Sequence, residues 1–143
     1  MAITQAEKYR LCLAGEFGVC SELSKLGYDV NITMGNAKAV DVVLFKNGSC
    51  VRIEVKTSRS SRFVTNFFQK YYDPSEGIHP DFWVLVHIDK DNKSHYYILS
   101  HQEMGDVQMK RNGMTAWAKV DGCDNVLLKD VKGYGEGMWD KIK

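Results

Sequence analysis

Val40-Asp41-Val42-Val43-Leu44-Phe45-Lys46-Asn47-Gly48-Ser49-Cys50-Val51-Arg52-Ile53-Glu54-Val55-Lys56 reads as two β-strands joined by a two-residue turn. Asn47-Gly48 is the strongest short hairpin signal, because both central positions of a type I′ turn need positive φ. The turn sets the register. Lys46 faces Ser49, Phe45 faces Cys50, Val43 faces Arg52 and Asp41 faces Glu54. Cβ atoms of directly opposed residues lie about 4.5–5.5 Å apart. Two carboxylates at that separation repel, unless one is protonated or a cation lies between them. Lys56 follows Glu54 at i+2 and shares its face. Val51, Ile53 and Val55 form an apolar row on the other.

One sheet face thus gathers Asp41, Glu54 and Lys56. Two oxygen ligands this close suit a hard cation such as Mg²⁺, which keeps several of its waters. A lysine beside the ion can orient or deprotonate a water, or stabilise developing charge. These parts suit metal-assisted hydrolysis of a phosphodiester. The competing reading is a solvated strand face, with charges paired to Lys38, Arg52 and Lys56.

Upstream, Thr4-Gln5-Ala6-Glu7 is a capping box. Ala6, Tyr9, Leu13, Cys20 and Leu23 recur at helical spacing, and Gly27 fits a C-terminal cap. A helix is predicted from about Gln5 to Leu26. Glu16 falls within its apolar stripe, between Leu13 and Cys20, where a carboxylate normally has a partner. Gly15 and Gly18 flank it; their small size would let another backbone or a ligand come close.

Downstream, strands are predicted over Tyr28 to Met34 and Phe82 to Ile88. The turn Asp89-Lys90-Asp91-Asn92 leads into a return strand, Ser94 to Leu99. Arg62 to Gln69 reads as extended, and Ser100 to Arg111 as a helix. Trp117, Val126, Leu127, Leu128 and Trp139 are expected to pack back onto the domain, and Gly133, Gly135 and Gly137 to loosen its end. The order implies one α/β (α+β) domain over residues 1–143 with a mixed central sheet. His79, His87, His95 and His101 have no metal-ligand spacing and read as ordinary.

The chain has 143 residues, 44% hydrophobic and 26% charged, a globular composition. No apolar run is long enough to span a bilayer and the first residues lack signal-peptide order, so a cytoplasmic protein is expected. Of the four cysteines, Cys12, Cys20, Cys50 and Cys123, none forms a C-x-x-C pair. Buried or half-buried free thiols are expected, with no zinc or disulfide framework. Net charge is only +1, so any nucleic-acid surface must be a local patch. Arg52, Lys56, Arg59, Arg62 and Lys70, interleaved with Phe63, Phe67, Phe68 and serines, form one candidate patch.

The helix with Gly15-Glu16-x-Gly18, then Val40-Asp41-Val42-Val43, then Ile53-Glu54-Val55-Lys56-Thr57, resembles the PD-(D/E)xK nuclease superfamily, the restriction endonuclease-like proteins. The arrangement is most similar to archaeal Holliday junction resolvases and small homing or restriction endonucleases, from Tyr9 to about Thr57. Val40 stands where the motif has proline, a position that varies in the superfamily. The resemblance implies a four-stranded mixed sheet flanked by helices and a metal-dependent endodeoxyribonuclease using Mg²⁺, with Mn²⁺ as a substitute. Asp41 and Glu54 would ligate the metal, Glu16 would complete the site directly or through water, and Lys56 would position the attacking water. DNA would be the partner, contacted through Lys38, Arg59, Arg62, Gln69 and Lys70, and a homo-oligomer, a dimer or larger, would cut both strands. The alternative is a catalytically idle nucleic-acid- or protein-binding module on the same fold.

Overall fold

The computed structural model describes residues 3–33, 41–67, 79–114 and 124–142. In chain order the elements are α1 (Gln5–Lys25), β1 (Asp29–Ile32), β2 (Val42–Lys46), β3 (Ser49–Ser58), β4 (Arg62–Val64), β5 (Phe82–Ile88), β6 (Ser94–Ser100), α2 (His101–Arg111) and β7 (Asn125–Leu127). A helical turn at Leu128–Val131 and 3-10 turns at Lys132–Tyr134 and Trp139–Lys141 follow. Both long helices open on capping boxes, Thr4 with Glu7 and Ser100 with Glu103. Gly27, at φ 93°, ends α1 in the left-handed region that glycine enters without strain.

The hairpin has the register its turn dictates. Val42 pairs with Ile53, Val43 with Arg52, Leu44 with Val51, Phe45 with Cys50 and Lys46 with Ser49. Asn47 and Gly48 carry φ of 51° and 79°. Among the described residues the central sheet has five strands in the order β1-β2-β3-β5-β6, not four. It is mixed: β3 and β5 run parallel and the other neighbours antiparallel. The parallel step exists because the chain leaves β3, passes through β4 and returns before β5.

Alternation along β3 assigns the two faces. Ile53 and Val55 lie in a core with Val42, Leu44, Val84, Val86 and Ile98, covered by Val19 and Leu23 of α1. The opposite face, with Trp83, Leu85, Tyr97 and Leu99, is covered by Met104, Val107 and Met109 of α2 and by the small β4–β7 sheet. At Gly15, α1 crosses β3 so closely that a Cβ would overlap Thr57 Oγ1; one at Gly18 would press on the Tyr96 hydroxyl. The two glycines are spacers for the helix–sheet contact.

Several expectations are corrected. The first turns of α1 are exposed, Tyr9 at 59%; Leu11 and Leu13 are half-buried and full burial begins at Gly15. The extended segment after Arg62 ends at Val64, and Asn66 adopts φ 52°, which a continuing strand does not allow. Phe63 and Phe67 are fully buried in the core and so are not a nucleic-acid surface. Cys12 and Cys50 are exposed and Cys20 half-buried, and none of the three is in a disulfide. Gly135 and Gly137, at φ 105° and 70°, turn the chain end back onto β6, where Glu136 bridges Tyr97 and the Gly137 N–H donates to the Tyr96 carbonyl. Met34, Trp117 and Cys123 lie outside the described residues.

This returning segment is fastened by a contact the sequence does not signal. His95 Nδ1 meets Glu136 Oε1 at 2.6 Å, and its Nε2 meets Asp89 Oδ2 at 2.8 Å. A neutral imidazole donates from one nitrogen only, so both bonds require the cation. The two bonds raise the His95 pKa from 6.5, and the bond from His95 is the main cause holding Asp89 down to about 2. The His87 ring lies 6.1 Å from that of His95 and adds no carboxylate. A group with a raised folded pKa stabilises fully below its unfolded value and loses that contribution as pH rises through the folded one. The lowered Asp89 behaves oppositely and fails only as pH falls towards about 2. The clamp is therefore strongest between roughly pH 4 and 6.5. We expect protection of the Gly137 amide from hydrogen exchange, corrected for intrinsic rate, to fall on the alkaline side. His95→Gln should give weak protection that does not vary with pH. Pronounced pH dependence in that variant would assign the effect to another group.

Candidate active site

The Glu54 face of β3 carries Arg52, Glu54, Lys56 and Ser58 in a row. Glu54 lies beside Trp83 of β5 and is 5% exposed. Lys56 Nζ sits 3.3 Å from Glu54 Oε1. Asp41 precedes β2, just beyond the last ladder pair. Its N–H donates to the Ile53 carbonyl at 3.2 Å, and its Oδ2 accepts the Val55 N–H at 2.9 Å. The carboxylate is thus seated against the main chain between Glu54 and Lys56. Asp41 is 5% exposed. The ladder frays here because the Asp41 side chain takes a strand N–H that a backbone carbonyl would otherwise receive.

Glu16 arrives from the α1 layer, on the opposite side of β3. Its neighbour Gly15 abuts Thr57, the residue after Lys56, so Glu16 is delivered to the same end of the strand. It is 6% exposed. Burial, and secondarily the Glu16 charge, push the Cys20 thiol pKa up. Among the described residues no three His, Cys, Asp or Glu groups converge as a metal cage. The open end of the hairpin carries two buried carboxylates, Asp41 and Glu54, hard oxygen donors of the kind Mg²⁺ accepts when water fills its remaining positions.

Arg52, opposite Val43 in the hairpin and part of the basic run, has a partner just before β5 that neither reading names. Asp81, at the entry to β5, accepts the Arg52 N–H at 2.9 Å and its Nε at 3.4 Å through one oxygen, Oδ2. The Asp81 N–H donates to the Arg52 carbonyl at 2.8 Å. Asp81 and Arg52 are 29 residues apart in sequence, so only the fold could reveal the pair. Arg59 and Arg62 are exposed just beyond β3, on a turn held by Ser58 and Ser60: the Ser60 N–H donates to Ser58 Oγ at 3.0 Å and the Arg62 N–H to Ser60 Oγ at 3.2 Å. Lys38, Gln69 and Lys70 lie outside the described residues.

His79 and His101 stack at 4.3 Å between centroids, and the Trp83 indole N–H donates to His101 Nδ1 at 3.2 Å.

The fold is that of restriction endonuclease-like proteins. Hjc, a Holliday junction resolvase from the archaeal hyperthermophile Archaeoglobus fulgidus, superposes over 87% of this chain and 90% of its own, with a TM-score of 0.54 and 12% identity. A bacterial homing endonuclease matches over 71% of this chain and 68% of its own, with a TM-score of 0.48 and 15% identity. No protein-family model matches the chain, and no curated protein sequence does. No helix among the described residues is long and apolar enough to cross a membrane.

Proposed function

We propose that this protein is a metal-dependent endonuclease that hydrolyses DNA phosphodiester bonds. The observation that carries the reading is a buried Glu54 carboxylate paired with Lys56, beside a buried Asp41 carboxylate that accepts the N–H of Val55 between them in sequence. The shared fold with a junction-resolving enzyme supports it. Asp41 and Glu54 are the residues to hold Mg²⁺ or Mn²⁺, and Glu16 to reach it through water. The bound ion supplies Lewis acidity and a water of lowered pKa.

The chain's own residues supply the rest. Asp41, fixed by the Val55 N–H, would bring its carboxylate charge to the cation. Glu54 in the resting state shares its charge with Lys56. The Lys56 ammonium, held beside Glu54, would orient a water or donate to a phosphate oxygen. Arg59 and Arg62 sit where the DNA backbone would leave the site. Cutting both strands of a duplex calls for two copies.

The test is incubation of purified protein with supercoiled plasmid. Nicking with Mg²⁺ or Mn²⁺ that stops on chelation is expected. Failure of any metal to elicit cleavage, in a protein that nonetheless binds DNA, would favour the idle binding module.

A further inference from the structure

We infer that Arg52 is a phosphate-contacting residue, its guanidinium set by Asp81 to receive a DNA backbone phosphate on the β5 side of Glu54. This rests on the nuclease reading and names a residue the motif does not contain. Arg52 precedes Glu54 by two positions on the same face, roughly 7 Å along the strand. Asp81 engages Arg52 twice, at the main-chain N–H and at Nε. It is itself tied to both sides, through its N–H to the Arg52 carbonyl and through its carbonyl to the His101 N–H. A guanidinium held at Nε still has the four N–H donors of its two Nη groups. Among the described residues those Nη groups meet no hydrogen-bond acceptor. Four N–H donors in a planar fork match two phosphate oxygens, which a lysine cannot do. Lys56, by contrast, is paired with Glu54. The Arg52 side chain is 33% exposed, so a ligand can reach it.

The competing account is that Arg52 only fastens β3 to the start of β5. The two differ in salt dependence. Each phosphate contact contributes about one unit of log–log slope, whereas an internal ion pair contributes none. The experiment is a titration of labelled duplex DNA in Ca²⁺ at several salt concentrations. Arg52→Gln, which keeps the side chain out to the Nε position and an amide donor there towards Asp81, should weaken binding about tenfold. Its slope should fall by about one unit. Arg52→Lys should keep the slope and recover only part of the affinity, because its point charge lacks the fork. An Arg52→Gln protein that melts like wild type and binds with an unchanged slope would overturn the inference and leave the nuclease reading standing. Wild-type protein that binds no DNA would overturn both.

Discussion

Lys56→Ala is expected to abolish DNA cleavage while leaving the fold and metal binding in place. The side chain stands 3.3 Å from Glu54 at the edge of the buried site, itself 20% exposed. It ligates nothing, so its loss removes no metal donor. Removing one preorganised cation from a site of developing negative charge costs about 10²–10³-fold in rate. The resting ion pair complicates the energetics in an informative way. Without Lys56, Glu54 is a buried carboxylate that has lost a partner, so the metal-free protein should be less stable. A divalent cation restores that balance, and the variant should gain at least as much stability from Mg²⁺ as wild type. Plasmid nicking and thermal unfolding, each with and without Mg²⁺, check both halves. Wild-type cleavage by Lys56→Ala would remove the lysine from the mechanism.

Asp41→Asn should have the opposite signature, losing the metal response while keeping the metal-free fold. An amide oxygen can still accept the Val55 N–H that Asp41 Oδ2 accepts at 2.9 Å, so the local geometry survives. What disappears is the charge. A ligand bound only by the folded state stabilises by mass action, about 2.7 kcal/mol at a hundredfold excess over Kd. Wild type should show that gain with Mg²⁺ or Mn²⁺, and Asp41→Asn should not. Cleavage should fall about a thousandfold, since metal catalysis supplies several kcal/mol to the transition state. Equal stabilisation of the two proteins by Mg²⁺ would mean that the cation sits elsewhere.

The hairpin was legible because two residues at a turn fix the pairing of all the others. Once Asn47-Gly48 is read, Val43 opposite Arg52 follows by counting, and the structure has that pair. The cap of α1 was equally readable, since Thr4 and Glu7 act within three residues. The end of the β4 segment was not, because alternation around Phe63 and Phe67 looks the same whether the ring faces a strand neighbour or a core. Both rings are core. Long-range polar pairs left no trace at all. His95 and Glu136 are 41 residues apart and Arg52 and Asp81 are 29 apart, and no periodicity links them. The strands β5 and β6 were legible as apolar runs, but the parallel placement of β5 beside β3 was not, a pairing that no turn sequence announces.

The crossing of α1 over β3 ties evolution of the core to evolution of the site. Gly15 and Thr57 occupy one shared volume, and a methyl on the first would overlap the hydroxyl of the second. Their sizes must therefore be exchanged rather than changed independently: enlargement at one position calls for reduction at the other. Each member of this pair is the sequence neighbour of a site residue, Gly15 of Glu16 and Thr57 of Lys56. Relatives that keep this architecture should show the two positions co-varying in volume. Where both grow, the helix must lift from the strand, and Glu16 will leave the hairpin end with it.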